Sequence, residues 1–207
     1  MNAKIISLVG MSNIGKTHWT KRLAAERGYV PLDCDALIAQ KLKSELKRHD
    51  VYGLAEWMGH PYDDRYAETS ARYRTYEKEV MNDVFALVAA QPGQPFILDT
   101  TGSVIYTGDD LLQKLRDRTR VIYFESSPAH LEDLFRRFAK SPKPLIWDGA
   151  YIPREGESRH QSLKRCYADL LARRDAQYRA LAHIVIPYDD HRAANADIGP
   201  YIEKVLS

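Results

Sequence analysis

The sequence predicts an α/β fold in which helices cover both faces of a central five-stranded parallel sheet. Five short apolar runs alternate with segments whose apolar residues recur at helical spacing. A glycine-containing loop joins the first run to the first helical segment. Residues 1–207 are expected to form a single domain, because this length is enough to bury a hydrophobic core.

The predicted strands are short, rich in β-branched or aromatic residues, and bounded by turn-forming or charged residues. They comprise residues 4–9, 29–32, 95–98, 120–125 and 183–187. Since helical segments separate them, the connections are expected to be crossovers and the strands parallel.

The segments between the strands have the spacing of amphipathic helices. In the longest, Tyr73, Tyr76, Val80 and Val84 follow one another at steps of three or four residues. The predicted helices comprise residues 17–27, 35–48, 64–90, 109–117, 128–140, 158–181 and 194–206.

One irregular segment, residues 141–157, separates two predicted helices. It carries three prolines and two glycines and is longer than most connections inside a domain. We expect this lid segment to be a mobile flap over a ligand site; a plain surface loop is the alternative.

Composition argues against several classes of protein. The net charge of +2 is too small to favour nucleic acid or an anionic membrane as a partner. No apolar run approaches the roughly 20 residues of a membrane helix, and the first residues lack a signal-peptide pattern. Cys34 and Cys166 lack metal or redox spacing. We therefore expect a cytoplasmic protein with free thiols, either a monomer or a homodimer.

Residues 10–17 read Gly-Met-Ser-Asn-Ile-Gly-Lys-Thr, a complete phosphate-binding loop between a strand and a helix. The loop amides and the helix N-terminus attract an anion. Lys16 is expected to reach the β- and γ-phosphates of ATP, and Thr17 to hold Mg²⁺. The candidate nucleotide-binding residues here are Gly10, Ser12, Asn13, Ile14, Gly15, Lys16, Thr17 and His18.

Acidic residues follow the second and third predicted strands, at the sheet edge where ligands bind in such folds. Asp33 and Asp35 follow the second strand and Asp99 the third. Beside a triphosphate, a carboxylate either holds Mg²⁺ or orients the attacking hydroxyl. Capping the next helix is an alternative role for Asp35. Thr17, Asp33 and Asp99 are the candidate metal ligands.

Further short motifs follow in order: Asp-Cys-Asp at 33–35, Tyr-Arg-Thr-Tyr-Glu at 73–77, Lys-Pro-Leu-Ile at 143–146 and Arg-Arg-Asp-Ala-Gln-Tyr at 173–178. With the phosphate loop, this order resembles shikimate kinase, within the P-loop kinases of the nucleoside monophosphate kinase type. The resemblance covers most of residues 3–187. It implies a P-loop kinase fold with a lid, and an acceptor-binding helical segment at about residues 35–90.

By this resemblance, Asp33 would help to position magnesium, and Asp35 would contact the acceptor hydroxyl and act as its base. Lys143 would reach the transferring phosphate. The catalytic candidates are thus Lys16, Asp33, Asp35 and Lys143.

The same resemblance assigns binding roles. Arg74 and Arg174 would hold a carboxylate of the acceptor, as their planar forks of donors suit, and Glu77 would brace Arg74. Thr101 and Gly102 stand where the family places a triple-glycine segment against the acceptor. Either Arg136 or Arg137 would lie against adenine.

Three functions remain open at this point. The first is a kinase for a small, carboxylate-bearing metabolite. The second is a kinase of the same fold for a nucleotide, sugar or antibiotic, since the triple-glycine segment is replaced and the lid arginine is Lys143. The third is a nucleotide-dependent switch with little transferase activity.

Overall fold

Five parallel strands form one sheet in the computed structural model, which describes residues 5–206. The strands are β1 (Ile6–Val9), β2 (Val30–Asp33), β3 (Phe96–Asp99), β4 (Arg120–Phe124) and β5 (Ile184–Ile186). Their order across the sheet is β2-β3-β1-β4-β5. The predicted parallel sheet is confirmed, with strand ends shifted by one or two residues; the predicted first residue, Lys4, lies outside the described residues.

The register places the candidate residues at one edge of this sheet. Leu8 of β1 pairs with Asp99 of β3, and Asp99 in turn pairs with Asp33 of β2. Because the strands are parallel, their carboxyl ends meet here, and the phosphate loop leaves β1 at the same edge.

The helices cover both faces of the sheet. They are α1 (Lys16–Arg27), α2 (Cys34–Lys41), α3 (Val51–Met58), α4 (Tyr66–Ala90), α5 (Asp109–Arg118), α6 (Leu131–Lys140), α7 (Arg159–Leu181), α8 (Tyr188–Arg192) and α9 (Gly199–Leu206). Among residues 5–206, none of these helices combines the length and apolar character needed to cross a bilayer.

Two predicted helices differ from the structure. The segment predicted as one helix over 35–48 ends at Lys41. Of the segment predicted over 194–206, only α9 (Gly199–Leu206) is helical, and α8 (Tyr188–Arg192) lies before it. The helix α3 was not predicted at all. It begins because the Asp50 carboxylate accepts hydrogen bonds from the backbone N–H groups of Tyr52 (3.0 Å) and Gly53 (2.8 Å).

The lid segment contains neither helix nor strand, as predicted, but its middle is packed into the protein. Leu145, Ile146 and Trp147 are buried. The Tyr66 hydroxyl donates to the Leu145 carbonyl (2.9 Å) and accepts from the Trp147 N–H (2.9 Å). The segment is therefore anchored at its centre, whereas the expectation was a flap along its whole length.

Candidate active site

The phosphate loop has a backbone that only certain residues adopt easily. Gly10 and Gly15 have φ angles of +142° and +120°, and Asn13 lies in the left-handed region at +64°. A Cβ at Gly10 would stand 2.8 Å from the Phe124 carbonyl oxygen. These conformations turn the loop from β1 into the N-terminus of α1, which begins at Lys16.

The Lys16 ammonium group folds back over this loop. Its Nζ donates to the carbonyl oxygens of Gly10 (2.8 Å) and Met11 (3.1 Å). Burial lowers the Lys16 pKa, while the carboxylates of Asp99 and Asp35 oppose that shift. A buried cation held by two carbonyl groups beside a helix N-terminus is well placed for an anionic ligand.

A pocket of about 190 Å³ opens above the loop. We call it the phosphate pocket; its walls are Ser12, Asn13, Gly15, Lys16, Thr17, His18, Asp35, Asp99 and Lys143. The structure thus brings residues from the phosphate loop, the ends of β2 and β3, and the lid segment to one cavity. Among the candidate loop residues, Ile14 points elsewhere and is buried in the core.

The two carboxylates of the phosphate pocket are held in different ways. Asp99 is 5% exposed, and burial raises its pKa to about 6 against the opposing effects of Lys16 and the Thr17 hydroxyl. Asp35 accepts a hydrogen bond from the Tyr73 hydroxyl (2.7 Å). Burial raises the Asp35 pKa, and that hydrogen bond limits the rise.

Asp33 has a structural task that the sequence suggested for Asp35. The Asp33 carboxylate caps α2 by accepting from the Ala36 N–H (3.0 Å). Asp35 is therefore free of capping and lines the phosphate pocket. The metal-positioning role of Asp33 stays a prediction.

The donors present fit a magnesium ion that is bound together with phosphates. Within residues 5–206, no group of three His, Cys, Asp or Glu side chains could hold a metal. Mg²⁺ commonly takes one or two protein oxygens and completes its shell with phosphate and water. Thr17 and Asp99, which both line the phosphate pocket, provide such a pair.

The lid segment is joined to the phosphate loop. The Asn13 side-chain amide donates to the Ser141 carbonyl (3.0 Å), and the Ser12 hydroxyl donates to the Pro144 carbonyl (3.4 Å). Between these two contacts, Lys143 lines the phosphate pocket. This position is open to a bound phosphate, and the role of Lys143 toward the transferring group stays a prediction.

Three residues predicted to serve the acceptor site lie in a buried layer. The Thr101 hydroxyl donates to the Glu77 carboxylate, as does the Ser103 hydroxyl at 2.6 Å. A Cβ at Gly102 would stand 2.9 Å from the Ser12 hydroxyl oxygen. Thr101, Gly102 and Glu77 are buried, so they support the loop, whereas the sequence suggested direct acceptor contacts for Thr101 and Gly102.

Glu77 does not brace Arg74, contrary to what the resemblance implied. The Arg74 guanidinium instead pairs with Asp148 of the lid segment (3.4 Å) and donates to the Tyr106 carbonyl (3.3 Å). Burial raises the Glu77 pKa to about 7, although the Ser103 and Thr101 hydroxyls oppose this. Arg74 does not line the phosphate pocket.

The Arg174 side chain is fully buried and hydrogen-bonds to other groups of the protein. Its guanidinium donates to the carbonyl oxygens of Gly102 (2.7 Å) and Ile146 and to the Tyr106 hydroxyl (3.3 Å). It is 0% exposed, so no ligand carboxylate reaches it in this conformation. The structure therefore corrects its predicted role: Arg174 fastens the loop at Gly102 to the lid segment.

The two arginines predicted to lie against adenine face another partner. Arg136 and Arg137 both pair with Asp133 of the same helix, at 2.5 Å and 2.6 Å. Neither lines the phosphate pocket. Their adenine contact stays a prediction that this arrangement does not favour.

Arg192 lies beside the phosphate loop and was not among the residues predicted from the sequence. Its guanidinium Nη1 is 3.2 Å from where a Cβ at Gly15 would lie, so it stands against the phosphate loop. It belongs to α8, which follows β5 directly. The sequence could have indicated this position, because β5 is parallel to the other strands and residues that follow it lie at the same edge of the sheet.

The fold and the phosphate loop together define an α/β protein of the P-loop type. A family model described as an AAA domain matches residues 5–132, which is more than half of the chain. The chain therefore belongs to this family. A comparison with curated proteins finds no significant match.

Solved structures with the same fold include shikimate kinases. The one from Acinetobacter baumannii, in complex with shikimate, is 23% identical with a TM-score of 0.64, over 99% of this chain and 91% of that chain. The one from Bacteroides thetaiotaomicron is 18% identical with a TM-score of 0.61, over 98% and 94%. A tunicamycin resistance protein from Deinococcus radiodurans is 14% identical with a TM-score of 0.52, over 98% and 93%. The predicted resemblance to shikimate kinase is thereby confirmed at the level of fold.

Proposed function

We propose that this protein is an ATP-dependent kinase that transfers the γ-phosphoryl group to a hydroxyl of a small, anionic metabolite. One observation carries the proposal. The phosphate-loop residues Lys16 and Thr17 share a single pocket with Asp35, Asp99 and Lys143, which is the set of charges that phosphoryl transfer needs.

The nucleotide would be held by the backbone of the phosphate loop. Loop N–H groups and the α1 N-terminus would bind the phosphates, with Lys16 moving from the loop carbonyls onto the β- and γ-oxygens. When bound, Mg²⁺ would neutralise phosphate charge, with Thr17 and Asp99 as its protein partners. His18 lines the same cavity.

The acceptor hydroxyl would meet Asp35. The Tyr73 hydrogen bond fixes the orientation of this carboxylate, and its raised pKa suits proton exchange with an alcohol. In the transfer, the acceptor oxygen bonds to the γ-phosphorus and the bond from that phosphorus to the bridging oxygen breaks. ADP leaves, and the hydroxyl proton passes to Asp35.

Lys143 would balance charge on the transferring group from the opposite side of the pocket. Its neighbours Ser141 and Pro144 are tied to the phosphate loop, so loop and lid segment are coupled. A lid of this kind also keeps water from the site, since water would otherwise accept the phosphoryl group.

A carboxylate-bearing acceptor is the narrower form of this proposal. The structure of the Acinetobacter baumannii shikimate kinase with shikimate supports it as a fold-level analogy. For Arg74 to hold such a carboxylate, it would have to exchange its contact with Asp148. We treat the chain as one kinase domain, with the lid segment at 141–157 and the acceptor-binding segment at about 35–90.

The test is ADP release from Mg·ATP, with shikimate and other hydroxy metabolites added singly. Acceleration by an acceptor, abolished by Lys16→Ala and strongly reduced by Asp35→Asn, would support the proposal. Slow ATP hydrolysis that no acceptor accelerates would contradict it and favour a nucleotide-dependent switch.

A further inference from the structure

A second and larger pocket lies beside the phosphate pocket. It is formed between residues 45–65 and residues 138–147, and we call it the outer pocket. Its volume is about 660 Å³, against about 190 Å³ for the phosphate pocket. Lys143 lines both cavities, so whatever fills the outer pocket lies next to the group being transferred.

The outer pocket carries an excess of unpaired positive charge. Lys47, Lys140 and Lys143 line it, and within residues 5–206 none of the three lies within ion-pair distance of a carboxylate. Lysine ammonium groups act as point charges, which suits a phosphate group.

Most of the acidic side chains in the lining are already engaged. Glu45 pairs with Arg72 at 2.6 Å, and the Asp63 carboxylate accepts from the His60 N–H at 2.7 Å. Glu56 and Asp63 keep their charge, but the outer pocket is lined by five lysine and arginine side chains against three carboxylates. The field inside the outer pocket therefore favours an anion.

Aromatic rings supply the rest of the binding surface. Tyr52, Trp57 and Trp147 all line the outer pocket. The Trp57 indole is fixed in place, because its Nε1 donates to Glu45 (3.2 Å) and the Arg72 guanidinium packs over its ring at 5.3 Å. Fixed aromatic faces beside cations suit a molecule that combines a planar ring with a phosphate.

We propose that the outer pocket binds the body of the acceptor, and that the acceptor is a phosphorylated, ring-bearing molecule of nucleotide size. The ring would pack against Trp57 and Tyr52, and its phosphate would contact Lys47 and Lys140. The hydroxyl to be phosphorylated would lie toward Lys143 and Asp35. This inference rests on the proposed function. A single-ring acid would leave most of the 660 Å³ unfilled.

The experiment is titration calorimetry on protein saturated with Mg·ADP, so that the phosphate pocket is occupied. The probes are the four common ribonucleoside 5′-monophosphates, each compared with its own nucleoside, and shikimate. We expect at least one monophosphate to bind about tenfold more tightly than its nucleoside and than shikimate, since a charge-assisted contact is worth that much.

Two variants locate the binding. Lys47→Ala and Lys140→Ala should each weaken that monophosphate about tenfold, and both lysines are exposed, so the variants should fold. Lys114→Ala is the control, because Lys114 is an exposed lysine of α5 that lines neither pocket. It should bind like the wild type.

The outcomes separate the two proposals. If every monophosphate binds no better than its nucleoside, or if the Lys47 and Lys140 variants bind like the wild type, the outer-pocket inference is wrong while the kinase assignment stands. If Mg·ADP itself fails to bind, the proposed function is wrong, and the inference that rests on it falls too.

Discussion

Replacing Glu77 with glutamine should stabilise the protein in mild alkali and leave its stability unchanged in mild acid. Glu77 is 1% exposed, and burial raises its pKa from the ordinary 4.5 to about 7. Its Oε1 accepts from the Ser103 hydroxyl at 2.6 Å, whereas its Oε2 is buried without a partner among the described residues. Glutamine keeps the accepting oxygen and resembles the protonated acid in shape and charge.

The sign of the effect follows from proton binding. Between pH 4.5 and about 7, the folded protein holds a proton on Glu77 that the unfolded chain has released. Stability therefore falls as pH rises through this window and levels off above the folded pKa. A shift of this size corresponds to a loss of roughly 3 kcal/mol at about pH 8, which the neutral glutamine does not suffer.

The assay is urea unfolding followed by circular dichroism, at several values between about pH 5 and about pH 8. The difference in unfolding free energy between Glu77→Gln and the wild type should grow from near zero to roughly 3 kcal/mol across this range. Glu79→Gln is the control, because Glu79 lies on the same helix but is exposed. A difference for Glu77→Gln that stays constant with pH would refute the reasoning.

Other substitutions test the support of the site. Gly102→Ala places a Cβ 2.9 Å from the Ser12 hydroxyl oxygen. It should lower the free energy of unfolding in urea by about 1–3 kcal/mol and weaken ATP binding. An unchanged affinity for ATP would show that the loop at Gly102 is not coupled to the phosphate loop. Asp35→Asn should lower kcat by about 100-fold or more with little change in ATP affinity, and an unaltered kcat would remove Asp35 as the base. Arg74→Ala should mainly weaken acceptor binding in steady-state kinetics if the acceptor carries a carboxylate, and no change in acceptor affinity or rate would exclude that role.

The sheet and the phosphate loop could be predicted from the sequence because their signals are local. Short apolar runs alternate with amphipathic segments, and the loop motif of residues 10–17 sits between a strand and a helix. Once the strands are known to be parallel, Asp33, Asp35 and Asp99 are expected at the same edge of the sheet, because they follow or end neighbouring strands. The break after α2 was less visible, since it depends on the Asp50 cap and on Gly53, where a Cβ would stand 1.8 Å from the Arg48 carbonyl oxygen.

The roles of Arg74, Glu77 and Arg174 could not be predicted in this way. A motif gives residue types, but tertiary partners decide what those residues do. Arg174 meets the carbonyl oxygens of Gly102 and Ile146, which lie 72 and 28 residues away along the chain. No local pattern reports such contacts, and the same holds for the outer pocket, whose two walls come from separate parts of the sequence.

The most direct test of the central claim is calorimetric titration of the protein with Mg²⁺ and a non-hydrolysable ATP analogue, beside Lys16→Ala and the surface control Lys114→Ala. We expect saturable heat and a raised melting temperature for the wild type and the control. Lys16→Ala should lose most of this affinity, because Lys16 is the buried cation of the phosphate loop, where the Gly10 and Met11 carbonyls hold its ammonium group. No heat and no thermal shift in the wild type, or equal binding by Lys16→Ala, would contradict it.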